Sequence, residues 1–105
     1  MPKYLVQGSY TDQGLKGLLK EGGSERRAMV QKLAEEMGGK LEVFYFAFGS
    51  DDFVIILDLA DNVDMAATAI VAQASGMVKS RVTVLMAPED VDQAVQRKVD
   101  FHPPS

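Results

Sequence analysis

The sequence predicts one α+β domain in which helices cover one face of a four-stranded antiparallel sheet. The first observation is a strand pair within residues 41–59, which is apolar on both faces around a turn of Gly, Ser and Asp. The second is the alternation of strand-like and helix-like periodicity along the chain. The third is the length of 105 residues, which supplies one core. We expect a single domain over 1–105, with its core at 3–87 and a C-terminal helix and tail at 88–105.

The first third of the chain predicts a strand followed by two helical segments. Lys3–Tyr10 is rich in β-forming residues and is the expected first strand. A short helical segment follows and is interrupted at Gly22-Gly23. Ser24 is the expected N-cap of the second helix, which Gly38-Gly39 ends. The apolar stripe of this helix is Met29, Val30, Leu33, Ala34 and Met37.

The strand pair that follows carries apolar side chains on both faces. Strict alternation assigns one face to Phe44, Phe46 and Phe48. It assigns the other face to Leu41, Val43, Tyr45 and Ala47. The predicted turn consists of Gly49, Ser50, Asp51 and Asp52. A strand pair with one wet face would alternate apolar and polar residues, so both faces of this pair need cover.

The second half of the chain predicts a helix, a strand and a last helix. Asp61 is the expected N-cap of a helix at about 63–75, with Asp64 at the acidic position of a capping box. Residues 77–87 form the expected fourth strand, and Pro88 starts the last helix. One face of this strand carries Val78, Val82, Val84 and Met86. The other carries Lys79, Arg81 and Thr83.

The resulting order, βαββαβ plus a C-terminal helix, predicts a ferredoxin-like fold. Right-handed crossovers place both crossover helices on the same face of the sheet. The opposite face then carries one full apolar set of the strand pair, which a soluble monomer rarely leaves open. We therefore expect a homodimer or higher homo-oligomer that associates sheet to sheet. Which face of the strand pair forms the interface stays open: if Phe46 lies under the helices, the interface moves to Val43 and Tyr45.

Composition excludes several classes of function. The net charge of −4 argues against nucleic acid and anionic membranes as partners. The chain has no cysteine and one histidine, His102, so we expect no metal site, no cofactor and no catalytic triad within one chain. Neither a signal-peptide core nor a membrane-spanning run occurs. A cytoplasmic protein is the expectation.

Several segments resemble the GYD family. They are Thr11, Gly14 and Lys16 after the first strand, Glu25-Arg26-Arg27 at the second helix, Gly38-Gly39-Lys40-Leu41 before the second strand, and Gly49-Ser50-Asp51-Asp52-Phe53-Val54 at the naming motif. The resemblance covers about residues 3–87 and departs at the motif tyrosine, whose position holds Asp51. It implies a dimeric α/β barrel of ferredoxin-like protomers. It implies no established biochemical role.

Candidate ligand-binding residues lie on the face that the helices leave open. Gln7, Tyr45, Asp58 and Arg81 could line a pocket there for a small anionic or aromatic molecule. The alternative is an edge strand protected by Lys79 and Arg81, with Asp58 paired to Arg81.

Two other polar sets have a structural interpretation. Gly49, Asp51 and Asp52 could belong to a site, but adjacent strand residues diverge and turns commonly use aspartate. Arg26 and Arg27 could bind phosphate, although solvated helix surface is the preferred interpretation, because no phosphate-loop motif is present.

Three functions remain open. The first is a homo-oligomeric protein that binds a small molecule without catalysis, between sheet and helices or at the dimer interface. The second is a cofactor-free enzyme of the dimeric α/β-barrel type, monooxygenase-like or isomerase-like, which rests on fold analogy. That enzyme would need a cavity between sheet and helices lined by Tyr4, Tyr45, Lys16 or Arg81. The third is a structural assembly unit without a ligand.

Overall fold

The computed structural model describes residues 1–104 and has a ferredoxin-like arrangement of one open antiparallel sheet and helices. The strands are β1 (Lys3–Tyr10), β2 (Lys40–Phe46), β3 (Phe53–Asp58) and β4 (Val78–Leu85). The helices are α1 (Asp12–Glu21), α2 (Gly23–Glu36), α3 (Asn62–Ala74) and α4 (Pro88–Gln96). The predicted α+β class and the order of elements are confirmed.

The strand order β2-β3-β1-β4 places β1 and β3 at the centre of the sheet. In the antiparallel register, Val6 lies between Ile55 of β3 and Val82 of β4. These side chains point to the face that we call the helix face, because α2 and α3 lie over it. Gln7 pairs with Val54 and Arg81 and points to the opposite, open face.

A β-bulge in β2 changes the predicted faces of the strand pair. The register shifts between Leu41 and Val43, so Leu41 pairs with Leu57 on the helix face while Val43 pairs with Ile56 on the open face. The prediction that Leu41 shares a face with Val43 is wrong, because the extra residue at Glu42 breaks the alternation.

The end of β2 also differs from the prediction. β2 ends at Phe46, and Phe48 lies fully exposed in the connection to β3. Phe46 lies on the helix face, with its ring beside Gly23 at the start of α2. Phe46 therefore lies under the helices, and Val43 and Tyr45 lie on the open face.

Side-chain and backbone caps define the helix ends. Thr11 accepts a hydrogen bond from the backbone N–H of Gly14 at 3.2 Å and so caps α1. The predicted cap of α3 is confirmed, because the Asp61 carboxylate accepts from the N–H of Asp64 at 2.9 Å. The predicted Ser24 cap is wrong. Gly22, with φ of 85°, alone separates α1 from α2, and only glycine adopts this conformation readily.

The core lies between the helix face, the last turn of α2 and the first turn of α3. It consists of Tyr4, Ala34, Phe53, Ile55, Leu57, Leu59 and Met65. The Tyr4 hydroxyl donates to Oδ1 of Asn62 at 2.7 Å, which ties β1 to the start of α3. Every second residue of β3 is buried here, so β3 is the strand that organises the domain.

The C-terminal helix projects from this body. All residues of α4 are exposed, including Val91 and Val95. The radius of gyration is 16.8 Å, against about 13 Å for a compact domain of this length. Residues 97–104 form neither helix nor strand.

Candidate functional site

A cleft with a volume of about 480 Å³ lies between α2, α3 and the helix face. Its floor is formed by Val6, Phe44, Phe53 and Ile55 of the sheet. Met29 and Leu33 of α2 form one wall, and Ala69 and Ala72 of α3 form the other. The small α3 side chains leave room that longer ones would fill, so the cleft follows from the alanine-rich sequence of this helix.

One charged side chain lies buried at the end of this cleft. Arg26, in the first turns of α2, is only 5% exposed. Its Nε and Nη2 atoms are buried and have no hydrogen-bond partner within residues 1–104. Its Nη2 lies 3.4 Å from a carboxylate oxygen of Glu21, which is itself half exposed. A buried guanidinium with free donors is costly unless something completes its hydrogen bonds.

An aromatic cluster borders the guanidinium. The Arg26 guanidinium carbon lies 5.8 Å from the centre of the Tyr10 ring. The Tyr10 ring in turn packs against Phe53 at 5.2 Å and Phe46 at 6.4 Å, measured between ring centres. This geometry fits a cation–π contact, which stabilises Arg26 without using its N–H donors.

Tyr10 stays protonated at neutral pH. Burial raises the pKa of its phenol above the ordinary value; the nearby Arg26 opposes this shift and Asp52 reinforces it. In the cleft, Tyr10 is therefore a neutral hydrogen-bonding group and a poor general base.

Sequence reasoning missed Arg26. The preferred interpretation placed it on solvated helix surface, and this is wrong, because the side chain is buried. The sequence did contain a signal for the burial of Arg26. This residue precedes Val30 by four positions and thus extends the apolar stripe of α2 by one turn. The cleft does not have the lining that the enzyme hypothesis would need, since Tyr4, Tyr45, Lys16 and Arg81 do not border it.

The open face carries all four predicted ligand-binding residues, but only Gln7 and Arg81 lie side by side on neighbouring strands. Arg81, Gln7 and Tyr45 lie in one row across the sheet, since Gln7 pairs with Arg81 and Val54, and Val54 pairs with Tyr45. Asp58 lies four residues along β3 from Val54, or about 13 Å at the usual rise of a strand. Tyr45 and Arg81 are on opposite edge strands, three strand spacings or about 14 Å apart, so the sheet separates both Asp58 and Tyr45 from the pair Gln7 and Arg81.

The alternative pairing of Asp58 with Arg81 is wrong. Asp58 instead accepts a hydrogen bond from Nζ of Lys3 at 2.9 Å, and Lys3 also donates to Glu42 at 2.6 Å. These two hydrogen bonds raise the pKa of Lys3. Arg81 forms a bidentate pair with Asp51, with both N–O distances at 2.9 Å. The Arg81 guanidinium holds the pKa of Asp51 below its ordinary value.

The turn residues diverge, as predicted. Asp51 reaches Arg81 across β1, whereas a carboxylate oxygen of Asp52 accepts from the backbone N–H of Tyr10 at 2.9 Å. The backbone N–H of Asp52 donates to the Gly8 carbonyl at 2.7 Å. Gly49 has open space around it. These contacts anchor the turn to β1 and β4.

Two kinds of feature are absent from residues 1–104. No group of three or more His, Asp or Glu side chains is placed to hold a metal ion there. In the same range, no helix combines the length and the apolar character needed to cross a bilayer.

Comparisons with known proteins support the fold and identify the family. No curated protein matches the chain at a significant level. A crystal structure of MtbAldR is similar, with a TM-score of 0.58 and 17% sequence identity, over 82% of this chain and 52% of that chain. The chain thus spans about half the length of that structure, and the likeness shows the fold alone. The family model of the GYD domain matches residues 4–95, which include nearly all of α4. The chain therefore belongs to the GYD domain family.

Proposed function

We propose that this protein binds a small, largely apolar molecule in the cleft between α2 and α3, and that it does so as a homo-oligomer joined through its open sheet face. The observation that carries the proposal is the cleft itself. Its volume of about 480 Å³ falls in the range of small-molecule sites. A domain of this size normally fills such a space with its own side chains.

The exposed residues at the mouth of the cleft support the same proposal. Met29 of α2 and Val71 of α3 are large apolar side chains that border the cleft and remain exposed. A bound apolar molecule would remove them from water, at a gain of about 25 cal/mol for each Å² covered.

The self-association part of the proposal rests on the open face. Leu5, Val54 and Ile56 lie at the centre of this face and are only half buried in the single chain. Tyr45, on the neighbouring edge strand, is 70% exposed. A second copy would cover this apolar surface.

The proposed location of the protein is the cytoplasm. The absence of cysteine supports this proposal, because it fits a reducing compartment.

Binding is favoured over catalysis by the chemistry of the cleft. Its titratable groups are Tyr10, Arg26, Lys32 and Glu36, and the last two are exposed. Tyr10 with a raised pKa and a guanidinium both donate hydrogen bonds, and neither is suited to abstract a proton near neutral pH. The cofactor-free enzyme remains the alternative, and turnover of the bound molecule would decide for it.

Native mass spectrometry of the protein purified from its own host tests the binding part. We expect a retained small molecule that is released on denaturation. The Ala72→Phe variant should lose it, because Ala72 lines the cleft. The matched Ala67→Phe variant should retain it, because Ala67 is exposed and does not border the cleft. Loss of the extra mass in both variants, or its absence from the wild type, would count against the proposal.

Sedimentation velocity tests the oligomer. We expect a dimer or larger species for the wild type and a monomer for the double variant V43K/Y45K, because charges on this face would be buried unpaired. Ile70→Lys is the control, since it adds a lysine at an exposed apolar residue of α3, away from the open face. A monomeric wild type would refute the oligomer while leaving the cleft proposal standing.

A further inference from the structure

We propose that the molecule bound in the cleft is a small monocarboxylate with an apolar body, and that Arg26 holds its carboxylate. This inference rests on the proposed binding function and names the chemical class of its ligand. It goes beyond that function because an apolar cleft alone gives no reason for the ligand to carry a charged group.

The position of Arg26 defines the end of the cleft at which the charged group of the ligand would lie. The side chain lines the cleft at the end formed by Tyr10 and the start of α2, and no group within residues 1–104 accepts a hydrogen bond from its buried Nε and Nη2 atoms. The remaining lining is apolar, apart from hydroxyl groups such as that of Thr68 and the exposed side chains of Lys32 and Glu36. A ligand that matches this distribution has one anionic group and an otherwise apolar surface.

The geometry of a guanidinium favours a carboxylate. Its N–H groups form a planar fork that fits two oxygen atoms of one planar group, and such charge-assisted bonds are about twice as strong as neutral ones. A single guanidinium balances a single negative charge. A phosphate monoester would bring close to two charges into an apolar cleft, and residues 1–104 place no second buried cation there.

Glu21 is the group that a ligand carboxylate must compete with. Its carboxylate lies 3.4 Å from Nη2 of Arg26, too far for a short charge-assisted bond, and its side chain is 46% exposed. Such a contact is weak, because water screens the exposed partner. Glu21 keeps Arg26 balanced in the free protein and can turn to solvent when another carboxylate arrives.

Titration calorimetry with three probes of equal chain length tests this inference. The probes are octanoate, octan-1-ol and octylammonium, each at pH 7.5 and below its micelle concentration. We expect octanoate to bind roughly 10- to 100-fold more tightly than octanol, which is the range for a hydrogen bond to a charged group. Octylammonium should bind more weakly than octanol, because it places a cation beside Arg26.

Two variants assign the difference to Arg26. Arg26→Gln should bind octanoate no more tightly than octanol, with folding checked by circular dichroism. Glu21→Gln changes a half-exposed side chain and should leave the fold intact. It should tighten octanoate binding a few-fold, as expected for removal of a weak competing ion pair, and leave octanol binding unchanged.

The outcomes separate this inference from the function on which it rests. If octanol and octanoate bind equally to the wild type, the cleft takes apolar molecules and the carboxylate assignment is wrong. If no probe binds, the proposed binding function fails together with it. If octanoate is preferred but neither variant changes the preference, the anion lies elsewhere and Arg26 is not its partner.

Discussion

Leu59 is fully buried and lies one residue beyond the end of β3, where the core meets the chain entering α3. Its backbone N–H donates to the Pro2 carbonyl at 3.2 Å, which extends the pairing of β1 and β3 by one residue. Its side chain thus packs where the N-terminus, β3 and the start of α3 converge. Where three segments converge, neighbouring atoms move little to fill the space left by a shortened side chain. The resulting cavity therefore lowers the free energy of unfolding more.

We predict that Leu59→Ala lowers the free energy of unfolding by about 2–5 kcal/mol, because it removes buried methyl groups and leaves a cavity. Val63→Ala is the matched control: it removes apolar atoms four residues later from a largely exposed side chain and should cost less than about 0.5 kcal/mol. Urea unfolding followed by circular dichroism measures both. Equal effects would show that Leu59 is not part of the core.

The ion pair between Asp51 and Arg81 makes a pH-dependent contribution to stability. Because Arg81 depresses the pKa of Asp51 in the folded protein, the contribution is present above the ordinary aspartate pKa of about 3.9. It is lost as the pH falls through the lower, folded-state pKa. We predict that, between pH 5 and pH 2, the melting temperature of the Arg81→Gln variant falls less than that of the wild type.

Asp51→Asn is the companion variant for this prediction. It removes the titrating carboxylate itself and should show the same flattened acid profile as Arg81→Gln. Arg81 is largely exposed, so we expect the difference from the wild type to be small and to shrink at high salt. Parallel acid profiles for wild type and both variants would show that the pair contributes nothing.

At the scale of elements, local signals predicted most boundaries. β1 was predicted at its observed bounds, and the predicted fourth strand at 77–87 contains the observed β4. Ser24 failed as a cap because the backbone at Gly22 already separates α1 from α2. The bulge at Glu42 could not be read from β2 alone, because it depends on how β2 pairs with β3.

The N-cap of α3 gives a prediction at this scale. Asp61→Ala removes the acceptor for the N–H of Asp64 and should destabilise the protein by about 0.5–2 kcal/mol. Asp61→Asn keeps an acceptor oxygen at the same place and should recover most of this loss. Chemical denaturation of the two variants side by side measures the difference. If Asn destabilises as much as Ala, the negative charge rather than the hydrogen bond carries the effect.

At the scale of the whole molecule, α4 differs from the other helices and strands in its exposure to solvent. Its residues are exposed along its full length, and the molecule extends 57 Å in its longest dimension. The GYD match nevertheless reaches residue 95, within α4. The helix therefore belongs to the family domain, although it adds little to the core of a single chain.

We predict that a chain ending at Ala87 keeps its fold. Its melting temperature should change by less than about 4 °C, which corresponds to about 0.5 kcal/mol for a domain of this size. Differential scanning calorimetry at several protein concentrations measures this. A larger loss at every concentration would show that α4 supports its own protomer. A loss that depends on concentration would show that α4 acts in association between copies.

The sequence by itself determined the order of strands and helices, the α+β class and the apolar character of both faces of the strand pair. These follow from periodicity and from capping and turn residues, all of which act over a few neighbouring positions. Tertiary structure decided the burial of Arg26, the pairing of Arg81 with Asp51 rather than Asp58, and the side of the sheet on which Phe46 lies. The reason is physical: each of these depends on strand register and on the gap between α2 and α3, which bring together residues far apart in the chain.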